Sequence, residues 1–172
     1  MTRLKPILLV EDNLQDVELT VSALKKSKIA NDIVITRDGD EALDYLYCRG
    51  KFGAREPGVP AVVFLDLKMP KVDGIEVLRQ LKSDEVLKRV PVVMLTSSRE
   101  DVDLVRSYEL GVNAYVVKPV DFQQFSNAVG RAGIFWAIVN EAPPEHERDC
   151  MIDSAIKSDR ADFRREVLGS IA

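Results

Sequence analysis

Side chains capable of chemistry stand directly after four short apolar runs. Glu11 and Asp12 follow Ile7–Val10, and Asp66 follows residues 61–65. Thr96 and Ser97 follow residues 92–95, and Lys118 and Pro119 follow Ala114–Val117. Brought together, they put three carboxylates, a hydroxyl and an ammonium group on one small patch. Carboxylates a few ångströms apart raise one another's pKa values or splay apart. A hard divalent cation relieves the repulsion, and Mg²⁺ takes oxygen ligands while keeping several waters. The cluster therefore predicts Mg²⁺, bound directly by Asp12 and Asp66. Glu11, on its longer arm, acts partly through water, and the backbone carbonyl of Lys68 is the expected further ligand. A carboxylate can also attack phosphorus, and phosphoryl transfer is catalysed mainly by positioning and charge stabilisation. Asp66 leaves a central run and is the nucleophile candidate. Mg²⁺, Lys118 and the Thr96 hydroxyl then each take one phosphoryl oxygen.

Each residue alone has a plainer reading. A single Asp after a strand is usually a turn or cap residue. Glu11 and Asp12 could be first-turn helix acids. All of them fall at strand ends in one chain, which these plainer readings do not explain together.

The runs that precede these residues are rich in Val, Ile and Leu and too short for helices, and a weaker one spans Ile33–Thr36. Continuous apolar runs suit strands covered on both faces. Helical spacing fills the gaps: Leu14, Val17, Val21 and Leu24; Ile75, Leu78 and Leu81; Val102, Val105 and Leu110. Ser98 with Asp101 resembles a capping box, and Gly111 sits where a helix C-terminus wants a left-handed residue. Residues 49–60, with three Gly and two Pro, read as a long loop. Strand and helix alternate five times, which implies an α/β fold: a doubly wound five-stranded parallel sheet with helices on both faces. In such sheets the ligand site lies at the carboxyl ends of the strands, where the reactive residues fall.

Composition removes other classes. The net charge is −4 with no basic face, which argues against an extended nucleic-acid surface. Cys48 and Cys150 lack metal-type spacing and read as reduced thiols. The lone His146 cannot supply a zinc site or a catalytic triad. No apolar run approaches the ~20 residues of a membrane span, and none forms a signal-peptide core, so the expected location is the cytoplasm.

The segments ILLVEDN, VVFLDLKMPKVDGIEVL, PVVMLTSS and GVNAYVVKP resemble those of the receiver domains of bacterial two-component response regulators. The resemblance covers residues 6–144. It implies the flavodoxin-like receiver fold and phosphorylation of Asp66 by a histidine kinase. It implies metal-binding acids at Glu11 and Asp12, a switch hydroxyl at Thr96 and a phosphoryl-binding lysine at Lys118. It adds an aromatic switch residue at Tyr115 and a cis peptide before Pro119. The long loop, the phrase LKSDEVLKRVPVVMLTSS and a last helix ending FWAIVNEAPP are similar to single-domain regulators of bacterial phytochromes. That narrower likeness implies a light-sensing histidine kinase as partner. Lys68 and Ser98 occupy positions that tune phosphoryl lifetime in the family, so the lifetime stays open. Two other readings stand beside this one. The first is a phosphate-independent interaction module. The second is an aspartate-nucleophile phosphatase of the haloacid-dehalogenase type, which needs a second Asp where Lys68 stands.

The expected organisation is a receiver domain over residues 1–144 and a polar tail over 145–172, with one short helix over 161–171. The tail is too short for a DNA-binding unit, so output is expected through protein contacts, and the chain is expected to be a phosphoacceptor rather than an enzyme. A fifth helix is expected from Asp121 to about Asn140. In it Phe122, Phe125, Val129, Ala132, Trp136 and Val139 form a stripe, with Phe135 beside it. A helix this apolar is expected to bury more than one face. The expected use is a homodimer through Phe122, Phe125, Val129, Phe135 and Trp136.

Overall fold

The computed structural model describes residues 4–97, 101–118 and 121–141, apart from the side chains of Asp101 and Phe122. Five strands form one parallel sheet: β1 (Ile7–Val10), β2 (Ile33–Thr36), β3 (Val62–Asp66), β4 (Val92–Thr96) and β5 (Ala114–Val117). Their order across the sheet is β2-β1-β3-β4-β5. The expected runs become these strands because β1, β3 and β4 are buried on both faces. Burial of that kind leaves no position for an alternating polar residue.

The two faces separate cleanly along each strand. Leu8, Val10, Val63, Leu65, Val92 and Met94 pack with α2 (Gly39–Leu46) and α3 (Gly74–Ser83). Ile7, Leu9, Val62, Phe64, Val93 and Leu95 pack with α1 (Leu14–Lys26) and α5 (Phe122–Ile134). Helix starts are specified by side chains. Asn13, Asp38, Asp73 and Asp121 each accept a backbone N–H from the first turn that follows, a contribution of about 1 kcal/mol apiece.

The helix α4 (Asp101–Glu109) departs from expectation. Its stripe does not pack inward: Val102 is 73% exposed, and Val105 and Tyr108 are more than half exposed. Leu110 alone of the expected set packs against the core. The geometry explains this. At about 100° per residue, Leu110 lies roughly 140° around the helix from Val105, so one sheet face cannot take both. The inward position goes to Ser107, which is fully buried and donates its hydroxyl to the Asp103 carbonyl. Gly111 closes the helix at φ +86°, as expected. Ser98, the other half of the expected capping box, lies outside the described residues, as do Pro119 with its expected cis peptide and the expected tail.

The loop over residues 49–60 contains a short 3₁₀ turn, Gly50–Phe52. Phe52 meets Tyr45 edge to face, and the Arg55 guanidinium lies over the other part of that contact, on the Tyr45 ring. The last helix reaches its expected length but changes pitch. Phe135–Val139 is a π-helical turn, closed by Asn140 N–H donating to the Phe135 carbonyl.

Candidate functional site

Strand register carries the reactive residues to one end of the sheet. Val10 pairs with Leu65, Asp66 with Leu95, and Thr96 with Val117. The next residues of β1 and β5, Glu11 with Asp12 and then Lys118, therefore stand level with Asp66 and Thr96. The Lys118 N–H donates to the Thr96 carbonyl at 2.6 Å and joins the last two strands where they open.

The carboxylates of Glu11, Asp12 and Asp66 offer oxygens that all lie within 4.8 Å of one another. Glu11 and Asp66 are buried, and Asp12 faces solvent. One Glu11 oxygen accepts the Asn13 N–H at 3.1 Å and the other accepts Lys118 Nζ at 2.6 Å. Lys118 Nζ also lies 2.6 Å from Asp16 Oδ2 and 3.5 Å from Asp66 Oδ1. Asp16 is the residue that the sequence reading missed. It sits in the first turn of α1, and a helix that starts at a strand's carboxyl end keeps its first turn beside the strand ends. That position was the available signal.

Charge in the pocket is unbalanced. Burial pushes the Glu11 carboxyl up to about 7, against the opposing pull of Lys118. Burial also raises Asp66, again with Lys118 opposing. Burial pulls Lys118 down, but its hydrogen bonds to Asp16 and Glu11 outweigh this and hold it above the ordinary lysine value. Two buried acids that resist ionisation, beside a third and among hard oxygen donors, fit a divalent cation such as Mg²⁺.

The segment after Asp66 is held by its own contacts. Gly74 N–H donates to the Leu67 carbonyl at 2.9 Å, and Lys71 Nζ bonds Asp38 at the start of α2. Lys68 is exposed and lines a cavity of about 490 Å³ with Asp12, Met69, Asp103 and Arg106. The Thr96 residue is fully buried at the end of β4. Tyr115 is half-buried on the α3 side of the sheet. The structure thus gathers Glu11, Asp12, Asp66, Lys118 and Thr96 at one end of the sheet.

The candidate interface on the last helix is narrower than expected. Phe125 and Val129 are taken up by the chain's own core against α1, because α5 must cover β1, β3 and β4. They are therefore corrected out of the interface. The Phe122 side chain lies outside the described residues. Trp136 is partly packed against the core, with Phe135 edge-on to its ring at 4.8 Å. Exposed apolar surface remains at Ile134, Phe135, Ile138 and Val139. Among the described residues no helix is long and apolar enough to cross a membrane.

Comparison with known proteins agrees with this geometry. The chain is 40% identical over 132 residues to the response regulator Rcp1 of Synechocystis sp., covering 77% of this chain and 88% of that one. The Mn²⁺-bound crystal structure of Rcp1 superposes with a TM-score of 0.75 over 81% of this chain and 99% of that one, at 38% identity. The phosphorylated cyanobacterial phytochrome response regulator RcpA gives the same TM-score and coverage at 40% identity. The bacteriophytochrome response regulator AtBRR is 61% identical, with a TM-score of 0.67, over 81% of this chain and 100% of that one. Residues 7–130 match the family model for the response regulator receiver domain. That span runs from β1 into α5 and holds every acid, the hydroxyl and the lysine of the pocket, so the chain belongs to the response regulator receiver domain family.

Proposed function

We propose that this chain is a single-domain response regulator that accepts a phosphoryl group on Asp66 from a histidine kinase, of the phytochrome type. The observation that carries the reading is the convergence on Asp66: two further carboxylates within 4.8 Å and an ammonium group 3.5 Å away. The similarity to regulators described as belonging to phytochromes supports the kinase class.

In the reaction an Asp66 oxygen attacks phosphorus. The P–N bond to the donor imidazole breaks, and its electron pair stays on the imidazole nitrogen, which takes up a proton. Lys118 pairs with one phosphoryl oxygen, and the Thr96 hydroxyl donates to another. Asp12, Asp66 and the Lys68 carbonyl are the residues to hold Mg²⁺, with Glu11 behind them. Bound there, the ion supplies positive charge against the transferring phosphoryl oxygens. The product adds about −1.5 to −2 charges beside Thr96. Thr96 moves toward them, Tyr115 turns into the space released, and the exposed surface of α4 and β5 changes. The chain is in this reading a phosphoacceptor that assists its own phosphorylation and dephosphorylation, with proteins as its partners.

Acetyl phosphate and Mg²⁺ test the assignment, read by intact mass. One phosphoryl adduct is expected on the wild type, none without Mg²⁺ and none on Asp66→Asn. An unmodified wild type would establish a phosphate-independent interaction module instead.

The exposed apolar end of the last helix supports a homodimer through Phe135 and Trp136, together with Ile134, Ile138 and Val139. Sedimentation at micromolar concentration is expected to show a dimer, and Phe135→Asp a monomer. A wild type that sediments only as monomer removes this part of the proposal.

A further inference from the structure

Lys118 is held by a carboxylate that the phosphotransfer reading does not use. An ammonium group has three N–H donors. In this pocket two of them are committed, to Glu11 Oε2 and to Asp16 Oδ2, both at 2.6 Å. These are the short, charge-assisted kind. The third carboxylate, Asp66 Oδ1, stands at 3.5 Å, too far for a hydrogen bond of that strength. The two short bonds come from different elements. Glu11 follows β1 and is 1% exposed, whereas Asp16 lies on α1 and keeps 30% of its side chain in contact with solvent.

We propose that Asp16 is a positioning residue for the phosphoryl transfer, holding the Lys118 ammonium off Asp66 with one donor left for the incoming phosphoryl oxygen. This rests on the assignment of Asp66 as phosphoacceptor. Coulomb attraction alone favours collapse of the ammonium onto the carboxylate 3.5 Å away. In that arrangement a short hydrogen bond from the ammonium ties up the nucleophile and blocks its attacking oxygen. Asp16 supplies a competing acceptor, 2.6 Å from the ammonium. Glu11 cannot do this alone, because a single short bond leaves Lys118 free to swing about it. A partly exposed acid is also the adjustable one of the pair, able to follow Lys118 as the phosphoryl group arrives.

The experiment is the rate of adduct formation from acetyl phosphate at saturating Mg²⁺ for wild type, Asp16→Ala and Asp16→Asn, with Mg²⁺ affinity measured alongside. Asp16→Ala is expected to react about tenfold more slowly, a loss of orientation rather than of charge on the reacting atoms. The asparagine amide oxygen still accepts from Lys118, so Asp16→Asn is expected to recover most of the rate. Mg²⁺ affinity is expected to hold in both, and the partly exposed site leaves folding intact. An alanine variant at the wild-type rate overturns the proposal. So does an asparagine variant as slow as the alanine one, or a rate loss matched by loss of Mg²⁺ affinity, which would make Asp16 a source of field only. A wild type without adduct is a different failure: it removes the Asp66 assignment itself, and this inference with it.

Discussion

Lys118→Ala is expected to slow phosphorylation of Asp66 by about a hundredfold, the scale seen when one preorganised donor to a developing oxyanion is removed. The rate is read as intact-mass adduct against time at saturating Mg²⁺. The loss falls on the chemical step, because Lys118 is not among the oxygen ligands that hold the ion. A second effect follows from the buried Glu11. Its carboxyl stands at about 7 in the folded chain even with Lys118 bonded to it, against 4.5 for the free group. A folded-state value above the unfolded one means that the native state holds the extra proton. That contribution to stability is complete below pH 4.5 and disappears as pH rises through 7. Without Lys118 the pull that opposes burial is gone, so Glu11 moves further up. Metal-free Lys118→Ala is then expected to lose melting temperature more steeply than wild type above pH 7. Added Mg²⁺, by neutralising the same carboxylates, is expected to close the gap. A variant that reacts at the wild-type rate would show that Lys118 serves only as the counter-ion of Glu11 and Asp16.

The strands were legible because a parallel sheet covered on both faces demands unbroken apolar runs. Three of the five matched their expected bounds: Ile7–Val10, Ile33–Thr36 and Ala114–Val117. In β3 and β4 the strand runs one residue further, to Asp66 and Thr96. Polar residues at the last strand position belong to the site rather than the core, and a hydropathy reading stops before them. The α4 stripe failed for a related reason. Helical spacing says which residues share a face, but it does not say that the face is covered. Val102 and Val105 share one, and solvent is what they meet. The π-helical turn at Phe135–Val139 has no composition of its own and could not be foreseen. Its effect is to rotate the end of the helix, so that Phe135 and Ile138 stand outside the core while Trp136 stays against it.

The site was legible one residue at a time where a strand end dictated it. Glu11, Asp12, Asp66, Thr96 and Lys118 need no knowledge of how helices dock. Asp16 does, because its bond to Lys118 spans 102 positions in sequence and depends on how α1 docks against the sheet. The balance between the acids was not legible either. Three carboxylates suggested mutual repulsion as the dominant effect, whereas burial is the larger cause for both Glu11 and Asp66.

Gly74→Ala is expected to destabilise the fold by about 3 kcal/mol, the upper range for overpacking a closed site, and to impair phosphorylation as well. A Cβ at this position falls 2.2 Å from the Asp66 carbonyl oxygen and 2.9 Å from the Leu67 Cα. Both are backbone atoms, so no side chain can turn aside to relieve the clash. The strand end or the helix start has to move, and either motion breaks the 2.9 Å bond from Gly74 N–H to the Leu67 carbonyl. Asp66 is the residue displaced, and positioning is most of what this chemistry requires. Gly111→Ala provides the contrast. There φ is +86°, so alanine is strained at a cost of about 1 kcal/mol, but the nearest atom to an added Cβ is a lysine methylene at 4.0 Å. Chemical denaturation is expected to show both variants weakened, Gly74→Ala the more. Adduct formation at a temperature where both remain folded is expected to fall in Gly74→Ala and to stay at the wild-type rate in Gly111→Ala. Equal rates in the two variants would mean that the backbone behind Asp66 can yield without moving its carboxylate.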